Sequence, residues 1–208
     1  MMQQEDILIQ KILVGSLVQL EPLTINHYEH LRAAANDPRI WAYMPARAEG
    51  SFYDAWFQDC LMKHLEGAQL SYVIKRKQDN ELIGSCAYYD IDLQHKKLEV
   101  GYGWLNPSVW GIGYNLEPLS LLFQNAFETW GINRIQIATD PRNIKSYNAL
   151  KKLGATQEGV LRQHMIHHNG HMTDTVLFSL LAEEWACVKT MLDKRLSNVL
   201  KRNLDAHS

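Results

Sequence analysis

Two glycines stand one residue apart in LNPSVWGIGYNLEPL, the stretch from Leu105 to Leu119. The pair, Gly111 and Gly113, follows an apolar strand-like run and directly precedes a helix-like run. Unpaired N–H groups and the positive end of a helix dipole favour an anion at such a place. A Cβ at either glycine would stand where phosphate oxygens approach the backbone. The spacing therefore predicts a phosphate-binding loop, and an ordinary turn is the alternative.

Two common phosphate motifs do not fit this loop. The dinucleotide fingerprint needs a third glycine where Leu116 stands, and the P-loop needs a Gly-Lys-Ser/Thr sequence that does not follow. What remains is a short loop whose amides can wrap a pyrophosphate without a metal or a lysine. Coenzyme A is one ligand that carries such a group.

The strand before the loop carries a carboxylate and two further glycines. Strict alternation in LEVGYGWL divides its residues between two faces, with Glu99, Gly101, Gly103 and Leu105 on one and Leu98, Val100, Tyr102 and Trp104 on the other. Glycine inside a strand marks a bulge or a close approach to the backbone. Glu99 projects from the bare face, at the start of the track that leads to the glycine loop, where a carboxylate can act as a general base. A surface carboxylate or a salt bridge with Lys97 is the alternative.

Histidines and aromatic residues form two further candidate groups. An Asn169-Gly170 turn of two residues would set His168 opposite His171. Two imidazoles are fewer than the three protein ligands of a usual catalytic metal site, so no metal is expected. The stretch WAYMP lies in a break between two predicted helices, where Trp41 or Tyr43 could line a binding pocket. Core packing explains these aromatic residues as well.

The surrounding pattern predicts one α/β domain over residues 1–208, without repeats or low-complexity linkers. LVQLEPL predicts a strand, two helices follow it, and SYVIKRK, ELIGSCAYYDI and KKLEVGYGWL predict an antiparallel meander. After the glycine loop come a long helix, the strand NRIQIATD, a helix that ends at Gly154, and a hairpin. A last helix, from about 183–200, carries an apolar face that packs on the body: Trp185, Val188, Leu192 and Val199. A dimer contact is the other use of that face.

Composition narrows the function classes. Hydrophobic residues make up 46% and charged residues 21% of the 208 residues, as in ordinary globular proteins. A net charge of −2 without a long basic tract argues against nucleic acid as a partner. Cys60, Cys86 and Cys187 suit reduced core thiols. No leader-like N-terminus or long apolar segment is found, so the expectation is a cytoplasmic monomer or homodimer away from membranes.

The chain resembles the GNAT superfamily of acetyl-CoA-dependent N-acetyltransferases, in its RimJ/RimL-like branch. The matching stretches are EVGYGWLNPSVWGIGYNLE, NRIQIATDPRNIKSYNALKKLGATQEGVLRQHM, NGHMTDT and EEW, over roughly 98–185. The resemblance implies a mixed, mostly antiparallel, twisted sheet of about seven strands flanked by helices. It implies that the sheet splays beside the strand ending at Leu105, with the pantetheine arm of acetyl-CoA in the splay. The acceptor is then a primary amine of a protein N-terminus or a small molecule.

The resemblance also assigns the site residues. Coenzyme contacts fall on the loop and the later helix: Leu105, Trp110, Gly111, Ile112, Gly113, Tyr114, Asn115, Asn143 and Ser146. Glu99 is the expected base, directly or through water. Leu150 occupies the position where many members have a tyrosine that acts as a general acid toward the departing thiolate. Ser146 is therefore expected to assist the thiolate, and Tyr147 is the second candidate.

The loop departs from the superfamily at Ser108, where glutamine or arginine is common. The resemblance therefore does not assign the phosphate contact that this side chain would make. The predicted hairpin borders the acceptor pocket in the family. The expected acceptor contacts are therefore His164 and His167 together with Trp41 and Tyr43. The alternative function is a coenzyme-binding regulatory or interaction module without catalysis.

Overall fold

The computed structural model describes residues 10–205. In this described part of the chain, eight strands, numbered in chain order, form one sheet: β1 (Leu13–Val14), β2 (Val18–Pro22), β3 (Gln69–Arg76), β4 (Leu82–Asp92), β5 (Lys97–Leu105), β6 (Arg134–Thr139), β7 (Thr156–Ile166) and β8 (Met172–Leu181). Their order across the sheet is β1-β2-β3-β4-β5-β6-β8-β7. Every neighbouring pair is antiparallel except β5 and β6. The prediction of a mixed, mostly antiparallel sheet is confirmed. The two-residue edge strand β1 is not among the predicted strands.

Within residues 10–205, five α-helices flank the sheet: α1 (Tyr28–Ala35), α2 (Tyr53–Leu65), α3 (Leu116–Gln124), α4 (Ile144–Leu153) and α5 (Ala182–Asp205). The first two helices cover one face, where Leu31 and Phe57 join a cluster with Val73 and Trp104. The last three cover the opposite face. There, the larger core contains these helix residues: Leu122, Phe123, Leu150, Leu153, Trp185, Val188 and Leu192. The flanking helices are therefore confirmed, and the buried face of α5 packs on the body of the domain.

Glycine ends α4 as expected. Gly154 has φ +89°, in the left-handed region, and its N–H donates to carbonyls of the last helical turn. Only glycine adopts this conformation without strain, so the helix stops there. A π-helical turn, Asn125–Thr129, continues α3.

The parallel pairing of β5 and β6 is short. It joins Lys97 to Arg134, Leu98 to Ile135 and Glu99 to Gln136, and it ends there. Beyond that pair β5 continues to Leu105 along β4, and β6 continues to Thr139 along β8. The two strands therefore diverge, which opens the sheet at its centre as expected.

A bulge in β5 changes the facing of its second half. Tyr102 has φ +48°, and the register with β4 advances from Gly101 to Trp104 while β4 moves only from Ala87 to Ser85. The extra residue shifts the alternation by one position. Trp104 therefore lies on the same face as Glu99, in the cluster with Val73, and Leu105 packs on the other face. The prediction of strict alternation is correct up to Gly101 and wrong beyond it.

The start of α3 is fastened to the first hairpin by a buried carboxylate. Glu117 is 3% exposed and accepts the main-chain amides of Ser16 at 2.6 Å, Leu17 at 2.7 Å and Val18 at 2.7 Å. Three hydrogen bonds from main-chain amides offset the cost of burying this polar side chain. This contact fixes the helix that follows the glycine loop.

The three cysteines are free thiols in different surroundings. Cys86 is buried and Cys60 half-buried, and burial raises the pKa of both thiols to about 12. Cys187 is exposed on α5, so the expectation of a core thiol is wrong for that residue. In the part of the chain described, none of the helices combines the length and apolar character needed to cross a bilayer.

Candidate active site

Glu99 lies at the last cross-strand pair before the sheet opens. The residue is 8% exposed. One carboxylate oxygen accepts the Tyr89 hydroxyl from β4, and the other accepts Nε2 of Gln136 from β6 at 2.9 Å. A carboxylate has about four acceptor positions, so both oxygens can still accept a proton or a further hydrogen bond. The two donors fix the orientation of the carboxylate at the edge of the opening.

Tyr89 is held in its donor form. Burial first, and then the negative charge of Glu99, raise the pKa of its phenol well above the usual range. Its ring also packs on the ring of Tyr102, with centroids 4.6 Å apart. The bulge residue and the donor to Glu99 are thus in contact. Burial likewise raises the pKa of Tyr102.

The glycine loop has the backbone expected of an anion site. Gly111 has φ +80°, and a Cβ built there meets nothing within 4 Å. Within the described residues, the main-chain amides of 111–115 find no main-chain carbonyl partner. The loop therefore offers free donors in front of α3, where an anion would be stabilised. Trp110 is 40% exposed beside them, and its Nε1 donates to the carbonyl of Leu105 at 2.8 Å.

Gly113 differs from its neighbour. It has φ +97°, but a Cβ at this position would lie 2.6 Å from both Cγ atoms of Val199 on α5. Its bare side faces the protein, so the expectation that a side chain there would meet phosphate oxygens is wrong. Of the other expected coenzyme contacts in the loop, Ile112 is exposed and Tyr114 is buried.

The start of α4 presents Asn143 and Ser146 together. Oδ1 of Asn143 accepts the amide of Ser146 at 3.1 Å and caps the helix. Both side chains are partly exposed. Tyr147 points elsewhere, because its hydroxyl donates to Gln157 at 2.9 Å and its ring meets Phe178 edge-on. Buried Leu150 packs in the core.

Glu99 and α4 lie on opposite faces of the sheet. Leu98 and Val100, on either side of Glu99, belong to the same core cluster as Leu150 of α4. Glu99 itself therefore points to the face covered by α1 and α2. The opening between β5 and β6 connects these two faces.

The four expected acceptor contacts divide into surface and buried residues. Tyr43 is 43% exposed, and the guanidinium of Arg142 lies 5.9 Å from its ring centre. His164 is exposed, and its Nδ1 lies 3.0 Å from Oγ1 of Thr175. Trp41 is 1% exposed, and its Nε1 donates to the carbonyl of Ala35 at 3.0 Å. Of the two aromatic candidates, only Tyr43 offers a surface to a ligand.

His167 belongs to a buried polar network. It is 5% exposed, and its Nε2 lies 3.3 Å from Oδ2 of Asp140. Burial lowers the pKa of His167, and the charge of Asp140 opposes this effect. Burial raises the pKa of Asp140, but hydrogen bonds from Arg142 and Thr173 outweigh it and bring that pKa below the usual value. The network joins the end of β6 to the hairpin.

The hairpin turn is one residue longer than predicted. The amide of His167 donates to the carbonyl of His171 at 2.9 Å, and Gly170 has φ +79°. The loop therefore holds His168, Asn169 and Gly170, and the prediction that His168 faces His171 is wrong. The Nε2 of His168 instead approaches the carbonyl of Trp41 at 3.3 Å. Over residues 10–205, no group of three or more His, Cys, Asp or Glu could hold a metal ion.

Sequence reasoning missed the residues that hold Glu99. In a regular hairpin that continues from the observed pair of Asp92 with Lys97, Glu99 would pair with Asp90. The register instead shifts between Asp92 and Tyr89, where Asp90 has φ +51°, so that Tyr89 becomes the partner. Gln136 carried a signal in the alternation of NRIQIATD, where it is the polar residue between Ile135 and Ile137.

The structure thus combines an open sheet, a nearly buried carboxylate at the opening and a loop with free amides before a helix. The chain belongs to the GNAT acetyltransferase family, whose domain model, described as Acetyltransferase (GNAT) domain, matches residues 18–156. It is accordingly an N-acetyltransferase. The chain is 34% identical over 122 residues to a Bacillus licheniformis protein named Uncharacterized N-acetyltransferase p20, covering 59% of this chain and 67% of the relative.

Solved structures show the same fold. A GCN5-related N-acetyltransferase from Brucella melitensis superposes with a TM-score of 0.81 at 25% identity, over 88% of this chain and 84% of the other. A ribosomal-protein-S5-alanine acetyltransferase from Vibrio fischeri superposes with a TM-score of 0.69 at 20% identity, over 85% of this chain and 99% of the other. Ribosomal-protein acetyltransferases are thus among its structural neighbours, as the RimJ/RimL-like resemblance implied.

Proposed function

We propose that this N-acetyltransferase moves an acetyl group from acetyl-CoA to a primary amine by direct attack within a ternary complex. The observation that carries the proposal is Glu99, a nearly buried carboxylate oriented by Tyr89 and Gln136 at the point where β5 and β6 separate. A carboxylate with a purely structural role would not need to lie where the pairing of β5 and β6 ends.

The chemistry needs a proton acceptor. An alkyl amine has a pKa of ~10 and is protonated at neutral pH, so it must lose a proton before it can attack a carbonyl carbon. Glu99 accepts that proton, directly or through a water molecule. Tyr89 and Gln136 keep the carboxylate pointed at the opening while it does so.

The loop and α4 hold the other partner. Acetyl-CoA supplies an acetyl group as a thioester. The free amides of 111–115 bind its pyrophosphate, and Asn143 lies at the start of α4, where the arm of the coenzyme would pass. Main-chain N–H groups near the bulge at Tyr102 can stabilise negative charge on the carbonyl oxygen. Ser146 donates a hydrogen bond to the departing thiolate.

The acceptor approaches from the face of α1 and α2, because Glu99 points there. Tyr43 and His164 are the exposed candidates for its binding. Trp41 and His167 are buried and would not touch the acceptor. They would position this surface, Trp41 through its carbonyl contact with His168 and His167 through its contact with Asp140. The acceptor is a protein N-terminus or a small-molecule amine.

An amine screen with detection of released thiol tests the proposal. We expect acetyl-CoA, without added metal, to give acceptor-dependent thiol release, and acetyl-CoA to raise the melting temperature where ATP and NAD do not. Binding without release for any amine would favour a non-catalytic coenzyme-binding module. An absence of binding at millimolar acetyl-CoA would contradict the proposal altogether.

A further inference from the structure

The C-terminal helix α5 touches the glycine loop. Both Cγ atoms of Val199 would lie 2.6 Å from a Cβ at Gly113, so the valine side chain packs directly on the bare backbone of that residue. Val199 is partly buried against the larger core cluster. Helix α5 lies outside residues 18–156, the part of the chain that matches the family.

We propose that Val199 is a positioning residue for coenzyme binding, acting through Gly113. This inference rests on the proposed function of the loop. The loop exposes Gly111 on one side, where a Cβ would meet open space, and rests on Val199 on the other. The helix thus supports the loop from behind and leaves its front free for the ligand.

The physical reason is the backbone of the loop. Gly111 at φ +80° and Gly113 at φ +97° hold conformations that glycine adopts easily but also leaves easily. The amides of 111–115 have no main-chain carbonyl partners among the described residues that would hold them in place. Packing by Val199 raises the fraction of molecules whose loop is ready to bind. Apparent affinity falls in proportion to that fraction when the packing is removed.

Val188 provides a matched control. It is also a valine on α5, 5% exposed, and its Cγ2 would lie 3.6 Å from a Cβ at Gly154, at the far end of α4. Val188→Ala removes the same atoms from the same helix, away from the loop. A purely structural role of α5 would make the two variants behave alike.

The experiment measures the dissociation constant of coenzyme A by calorimetry, which needs no acceptor. Val199→Ala should weaken binding by about fivefold or more, and Val188→Ala should leave it within about twofold. Amide hydrogen exchange of the free protein should quicken across 110–115 in Val199→Ala only. Thermal unfolding shows that each variant is folded.

A double-mutant cycle tests the contact itself. Gly113→Ala introduces a methyl group against Val199, so its cost should be smaller in the Val199→Ala background than in the wild type. Equal affinity of Val199→Ala and wild type, or an equal loss in Val188→Ala, would overturn the inference. If the wild type failed to bind coenzyme A, the proposed function would be at fault instead. If Val199→Ala did not fold, hydrogen exchange of the loop in two other variants would test the contact. Unchanged exchange in Val199→Thr together with changed exchange in Gly113→Ala would support it. Changed exchange in Val199→Thr together with unchanged exchange in Gly113→Ala would reject it.

Discussion

Glu99 is the residue on which the proposed chemistry depends. Glu99→Gln keeps a similar shape but cannot take a proton from the amine. Turnover near neutral pH should fall by ~100-fold or more, with little change in affinity for acetyl-CoA. The loss should shrink as pH rises, because more of the amine is then neutral without help. Rates measured across a pH series for both enzymes check this expectation.

Glu81→Gln is the control, because Glu81 is an exposed carboxylate paired with Arg76. It should leave the rate unchanged. Full activity of Glu99→Gln at neutral pH would move the search for a base to His164 or to an ordered water.

Ser146 and Tyr147 can be separated as partners of the thiolate. Ser146→Ala should lower turnover by ~10-fold and keep that loss at high pH, because a thiol pKa of ~8.5 makes help with its departure useful but not essential. Tyr147→Phe should have little effect on turnover, because the Tyr147 hydroxyl already donates to Gln157. Steady-state rates of both variants test this assignment. A larger loss of turnover in Tyr147→Phe than in Ser146→Ala would assign the role to Tyr147.

At the scale of elements, we propose that the glycine loop before α3 binds the coenzyme. Gly111→Ala places a methyl group in the open space in front of the loop, at a positive φ that costs ~1–2 kcal/mol for other residues. Coenzyme affinity should fall by at least ~10-fold, as calorimetry would measure.

Gly131 makes the comparison specific. It has φ +65°, and a Cβ there also meets nothing within 4 Å, but it follows α3 instead of preceding it. Gly131→Ala should therefore lose similar stability and keep its affinity for coenzyme A. Equal affinity losses in both variants would mean that backbone strain, not the loop, explains the effect.

At the scale of the whole molecule, the buried network around His167 couples stability to pH. Burial places the pKa of His167 below that of an unfolded histidine, ~6.5. The unfolded state then binds the proton more readily, so stability is present above pH ~6.5 and is lost as pH falls through the lower folded pKa. Around the ring lie the charged or titratable groups Asp140, Arg142, His168 and His171.

His167→Gln keeps a donor toward Asp140 and removes the titration. Its melting temperature should fall less between pH ~7 and 5 than that of the wild type. His164→Gln, which removes an exposed imidazole from the same hairpin, should retain the wild-type pH dependence. Parallel slopes for wild type and His167→Gln would show that other groups cause the acid loss.

The sequence by itself determined the order of elements and the place of the glycine loop. Periodicity located the meander, Gly154 ended its helix, and the pair Gly111 and Gly113 marked the approach to α3. These features are local, because turn, cap and alternation signals act within a few residues. The position of Glu99 on the face opposite to Leu98 followed in the same way.

Only the tertiary structure decided which side chains meet. Bulges at Asp90 and Tyr102 each shift a register by one residue, which brings Tyr89 to Glu99 and turns Trp104 to the other face. Such a shift costs little locally and is set by packing across strands, so it leaves no clear pattern in the sequence. The contact of Val199 with Gly113 is likewise invisible in the chain, because it depends on how a distant helix docks on the sheet.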